Sequence, residues 1–144
     1  MDTGLKYHLQ ELVITNRISE FKKIEKWIAD FAKQANLSER DTFALDLVLN
    51  EALINIISYG YEDDEEHTIL VKINHSPSEI DIEIIDDALP FNPLSVQSSV
   101  SDQTRLEEAS IGGRGIILIK KYCAKLSYCY SEQKNHLYLT INKS

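Results

Sequence analysis

Cysteine, histidine and positive charge are all scarce in this chain, and each scarcity closes a route. Cys123 and Cys129 are the only cysteines. They lack C-x-x-C spacing and predict reduced thiols in a cytosolic protein. The four histidines, His8, His67, His75 and His136, are scattered and indicate no metal site. Lysine and arginine total 15 against 23 acidic residues, a net charge of −8. Nucleic acid is therefore not an expected partner, since binding it takes a basic stripe that neutralises phosphates. No run of about 18 apolar residues occurs, so no membrane span is expected. The opening MDTGLKYHLQ has no basic stretch followed by an apolar one, so no secretory signal is expected. Internal repeats and low-complexity tracts are lacking too.

What remains is 43% apolar and 26% charged, enough apolar mass for a core, and one domain over residues 1–144 is expected. LKYHLQELVI alternates loosely, as a first strand would. From Ile18 the positions Phe21, Ile24, Trp27, Ile28 and Phe31 fall at helical spacing, and that helix should end near Asn36. In LSERD, Ser38 is an N-cap with Asp41 three residues on, opening a second helix that runs to about Ser58. TILVKIN and EIDIEIID, joined by HSPS, predict a hairpin. In its second strand Ile80, Ile82 and Ile84 point one way and Glu79, Asp81 and Glu83 the other, a half-exposed sheet. Residues 87–111 lose all periodicity, which in a small domain marks a functional lid or a disordered segment. A third helix then runs to about Lys125, and LSYCYSE with HLYLTIN predicts a second hairpin. The order β-α-α-β-β-loop-α-β-β reads as an α+β fold, a two-layer sandwich with helices on one face of a mixed, mostly antiparallel sheet.

Three polar features interrupt this pattern. On a wheel of the second helix, Asp46 and Asn50 share the solvent side, while Glu51, Asn55 and Ser58 form a separate stripe flanked by Ala44, Leu47, Val48 and Ile54. A carboxylate and an amide among apolar neighbours must be satisfied by something. Either the helix is partly exposed there and Glu51 meets a lysine, or the stripe does chemistry. Glu51 and Asn55 are four apart and project side by side, a pair suited to holding a hydrated cation and activating a hydroxyl. The second feature is Asp86, an acid ending an isoleucine-rich strand beneath a loop. It could recognise a ligand's donors or simply initiate a turn. The third is glycine itself: of five in the chain, Gly112, Gly113 and Gly115 fall within four positions at the start of a helix. Such a cluster lets backbone approach something closely, with the helix N-terminus aimed at it.

Together and in this order, NEALINIISYGY, DDALPFNP and GGRGIILIKK resemble the N, G1 and G2 boxes of the gyrase, heat-shock chaperone, histidine-kinase and MutL ATP-binding superfamily. The small stand-alone branch, the bacterial anti-sigma factor serine kinases, is the most similar in length and spans nearly the whole chain. The resemblance implies the Bergerat ATP-binding fold, with ATP and Mg²⁺ as cofactors. By the family's pattern Asn55 would ligate Mg²⁺ and Glu51 would be the general base for a substrate hydroxyl. Asp86 would accept from the adenine amino group. Ala88, Pro90 and Phe91 of the same box would line the nucleotide pocket, as would Gly112, Gly113, Arg114, Gly115 and Ile116 around the phosphates. Residues from about 92 to 110 would be an ATP lid.

Two departures stand out. The box that begins at Asp86 usually carries glycine where this chain has Ala88, and Tyr59 stands where many relatives have histidine. The implied function is a protein-serine/threonine kinase of the partner-switching type, cytoplasmic and bacterial. It would phosphorylate a small anti-sigma-antagonist (STAS-domain) protein and alternately bind that antagonist or a sigma factor, and a homodimer is implied. The alternative, motivated by Ala88, is a nucleotide-binding switch that sequesters a partner without phosphorylating it. A detached histidine-kinase catalytic domain fits less well, because nothing resembles a dimerisation helix bearing a substrate histidine.

Overall fold

The computed structural model describes residues 9–95 and 111–144, side chains of Ser95 and residues 111–114 excepted. The described elements are β1 (Gln10–Thr15), a 3-10 turn (Ile18–Glu20), α1 (Phe21–Gln34), α2 (Glu39–Tyr59), β2 (Thr68–His75) and β3 (Glu79–Asp86). A 3-10 turn (Pro93–Ser95), α3 (Ile111–Tyr122), β4 (Lys125–Ser131) and β5 (Lys134–Asn142) follow. The fold is α+β, a five-stranded sheet in the order β1-β2-β3-β5-β4 with three helices.

The sheet is not mixed as expected: every described pairing is antiparallel. The path through α3 leads from β3 to the edge strand β4, and β5 then folds back between them. No parallel pair therefore forms. The β4–β5 hairpin turns through Glu132 (φ 53°) and Gln133 (φ 64°), both left-handed, as a two-residue turn matched to strand twist requires.

Period two decides which sheet face is buried. Ile80, Ile82 and Ile84 are buried against the helices, with Leu137, Leu139 and Ile141 beside them on β5. Glu79, Asp81 and Glu83 take the opposite, partly exposed face. Asp86 falls two residues beyond Ile84 and so inherits the inward direction.

The helices begin and end where local chemistry directs. Ser38 Oγ accepts from the Asp41 amide at 3.0 Å, the N-cap of α2. α1 ends with Asn36 at φ 54°, while the Leu37 amide reaches Ala32 O and the Asn36 amide reaches Lys33 O, a Schellman stop with asparagine in glycine's usual place. By length and composition α2 could cross a bilayer. Its apolar side instead packs into the core through Leu45, Val48, Leu49 and Leu53. α3 stops three residues short of the expected Lys125, because the Ala124 amide is already donated to Thr140 O on β5, at 2.7 Å. Both cysteines are free, and burial pushes the Cys123 thiol up to about 12.

The segment from α2 to β2 is tied to the end of β3. The Leu89 amide donates to Gly60 O at 3.2 Å. Tyr61 stacks on His67 with centroids 4.2 Å apart, and its hydroxyl donates to Asp87 Oδ1 at 3.3 Å. His67 sits between Asp63, 2.8 Å from Nε2, and Asp87, 3.2 Å from Nδ1. The bond to Asp63, then the one to Asp87, raises the imidazole above its ordinary value, while His67 holds Asp63 below the usual carboxylate range.

A histidine raised on folding stabilises most below its unfolded pKa of about 6.5 and loses that contribution as pH climbs through the raised value. Asp63, lowered, contributes above about 3.9. The clamp is therefore strongest between those limits. Melting curves of wild type and His67→Gln should differ most near about pH 6 and converge toward about pH 9. A difference that stays constant or grows with pH would overturn the assignment.

Candidate nucleotide site

One cavity of about 380 Å³ lies where α2, α3, the end of β3 and the start of β5 converge. Of the residues singled out in the sequence, Asn55, Asp86, Ala88, Pro90, Phe91 and Ile116 all line it. Three segments distant in the chain thus meet at one place. Ile116 and Ala88 are buried, whereas Phe91 and Pro90 are exposed at the surface.

Asp86 is 4% exposed, and a carboxylate that deep needs donors. Its Oδ1 accepts from the Ala88 amide and from Asn135 Nδ2, each at 2.9 Å. Burial raises the pKa of Asp86, and these two bonds oppose the rise. Its Oδ2 has no hydrogen-bond partner among the described residues, so this oxygen can take a donor from the cavity.

On α2 the expected polar stripe is present, and no ion pair to Glu51 occurs among the described residues. Asp46 and Asn50 pair with each other instead, Nδ2 of Asn50 donating to Asp46 O at 2.7 Å and Oδ1 at 2.9 Å. Asn55 Oδ1 is buried and has no partner among the described residues. An orphan amide oxygen costs about 1–3 kcal/mol unless something binds it, and a hard cation is a fitting occupant.

The glycine cluster lies inside α3, which starts at Ile111. No glycine in the described residues has positive φ. Close packing explains Gly115: a Cβ there would fall 2.7 Å from Glu51 Oε1 and 3.5 Å from Asn55 Nδ2. The absent side chain is what lets α3 lie against the Glu51–Asn55 pair. Gly112 and Gly113 occupy the first turn of α3, where free amides and the helix dipole favour an anion. The side chain of Arg114, and residues 96–110 of the expected lid, lie outside the described residues.

Ala88, where relatives carry glycine, needs no special backbone, since its φ is not positive. Its methyl packs on Gly60, where an added Cβ would lie only 2.9 Å away. Tyr59, the other departure, is exposed but borders the cavity.

Asn135 was not legible in the sequence. It is 5% exposed and hydrogen-bonds to four residues of the stretch from Asp86 to Phe91. It reads as a turn residue before a strand, and only the register Asp86↔Asn135 reveals its place. Tyr128 and Leu137, also lining residues, look like ordinary strand positions in the sequence.

Residues 14–141 match the family model described as the histidine kinase-like ATPase domain. The chain belongs to the histidine kinase-like ATPase family. It is also 29% identical over 118 residues to the serine/threonine-protein kinase BtrW of Bordetella bronchiseptica, across 82% of each chain. Membership makes ATP the ligand of this domain, and the similarity supports kinase or ATPase activity.

Gly115→Ala tests the packing of α3 on α2. Alanine improves helix propensity by about 1 kcal/mol over glycine, and the atom it strikes ends a flexible side chain. The variant should melt within a few degrees of wild type, while ATP turnover falls about tenfold or more because Glu51 is pushed aside. Wild-type turnover in a folded variant would show that the Glu51 position is immaterial.

Proposed function

We propose that this protein is an ATP- and Mg²⁺-dependent protein-serine/threonine kinase that acts as a partner-switching regulator. Its substrate is a small anti-sigma-antagonist (STAS-domain) protein, and its alternate partner a sigma factor. The observation that carries the reading is the orphan Asn55 Oδ1 beside Glu51, in a site whose cavity also holds the buried Asp86. The similarity to a serine/threonine-protein kinase of Bordetella bronchiseptica supports the same reaction type.

Each residue has a distinct task. Asn55 Oδ1 would hold Mg²⁺, which when bound neutralises charge on the phosphates. Asp86 Oδ2 accepts from the adenine amino group. The amides of the first turn of α3, at Gly112 and Gly113, face the phosphate tail, and Arg114 adds positive charge there. Glu51 would take the proton of the substrate hydroxyl as it attacks the terminal phosphorus, while the bond from that phosphorus to the bridging oxygen breaks and ADP leaves. Phosphoryl transfer depends on positioning and charge neutralisation more than on covalent chemistry by the protein, and these groups supply both. The working form is a cytoplasmic homodimer.

The competing reading, a sequestering module without transfer, rested on Ala88. Its methyl packs on Gly60 and its φ is not positive, which supports a working site.

Two measurements test the proposal. Protein, γ-labelled ATP and the antagonist encoded beside it should yield antagonist labelled on serine or threonine; a complex that forms without label makes the protein a sequestering module. By isothermal titration, Glu51→Ala should keep Mg·ATP affinity within about threefold while abolishing transfer, whereas Asn55→Ala should lose about tenfold or more in affinity. Equal binding losses would contradict this division of roles.

A further inference from the structure

We infer that Asn135, held by Tyr128, is a positioning residue that makes the site selective for a purine bearing a 6-amino group. The inference rests on the reading of the cavity as an adenine-nucleotide site. The two hydrogens of Asn135 Nδ2 are shared among Asp86 Oδ1 at 2.9 Å and the carbonyls of Ala88 and Leu89, each at 3.1 Å. Its Oδ1 accepts from the Phe91 amide at 3.2 Å and from the Tyr128 hydroxyl. The contacts agree on one orientation of the amide, because a flip would set Nδ2 against the Phe91 amide and Oδ1 against three acceptors.

This arrangement has a consequence for Asp86. With the Ala88 amide also on Oδ1, two donors engage that oxygen and fix the plane of the carboxylate. Oδ2 is left as the free acceptor among the described residues. A ligand amino group at that point gains a hydrogen bond, and a ligand carbonyl there meets negative charge. Asn135 does not have to touch the nucleotide to impose this choice. Tyr128 acts one step further back: its hydroxyl donates to the acceptor end of the amide, so Nδ2 stays turned toward Asp86. The two residues come from adjacent strands, β4 and β5, with Asn135 directly opposite Asp86 in the sheet.

The test compares Mg·ATP with the triphosphate of purine riboside, which lacks the 6-amino group, by equilibrium titration on the full chain. Wild type should favour ATP by about tenfold or more, since a site built around a hydrogen bond rejects the analogue that cannot make it. Asn135→Leu and the isosteric Asn135→Asp should lose most of that preference, with ATP weakened and the analogue held within about threefold. Tyr128→Phe, which removes one hydroxyl, should shift the ratio the same way by less, and it carries the test if the Asn135 variants melt below the assay temperature. Equal loss for both nucleotides, or an unchanged ratio in folded variants, would overturn the positioning role while leaving the adenine site intact. A wild-type protein that binds both equally would remove Asp86 as the adenine acceptor, and this inference with it.

Discussion

A charged carboxylate cannot be buried alone, and the site is organised around how Asp86 avoids that. Period-two alternation turns Asp86 inward behind three isoleucines, into the layer where the helices pack. There it must find donors within the protein. The Ala88 amide supplies one only if the chain turns sharply after the strand, and Asn135 supplies the other only if β5 is the next strand in the sheet. The insertion of β5 between β3 and β4 is thus more than a topological detail. It brings a polar residue to the point in the apolar layer where Asp86 requires one.

The second constraint is the distance between α2 and α3. Helices that cross with ordinary side chains between them stay about 8–10 Å apart. Gly115 has no side chain to interpose, so the backbone of α3 lies directly on Glu51 and Asn55. That contact serves two ends at once. It limits the room open to the Glu51 carboxylate, and it brings α3 against the amide of Asn55, whose Oδ1 is buried and without a partner among the described residues. A working geometry is held here by the absence of atoms.

Much of this could be read from the residues, for reasons that are local. The isoleucine alternation of residues 80–84 fixed a strand and its buried side, Ser38 fixed a helix start, and the 100° wheel separated Glu51 and Asn55 from Asp46 and Asn50. Each depends on neighbours within a few positions. The mixed sheet was misjudged because pairing order is not local: nothing within LSYCYSE or HLYLTIN says which strand joins β3. Asn135 was hidden for the same reason, since its partners in the stretch from Asp86 to Phe91 lie more than 40 positions away. The meaning of Gly115 was half visible. Its rarity marked the place, but its packing against Glu51 exists only once α2 and α3 are side by side.

Ala88 shows how a departure from a family's motif is to be weighed. A glycine can be needed for its backbone angle or for the space it leaves, and the two needs have different consequences when alanine replaces it. Here the angle is not left-handed, so no strain arises, and the methyl adds contact with Gly60. The alanine in turn makes Gly60 harder to replace, because a side chain there would strike both Ala88 and the carbonyl of Ile56. Gly60 also holds the Leu89 amide through its own carbonyl. The end of α2 and the loop after β3 are thus joined by a hydrogen bond and a packing contact, and these two elements carry Asn55 and Asp86 to the cavity. A motif read one position at a time counts Ala88 as a loss; read with the residue it touches, it is a contact between the end of α2 and the loop after β3.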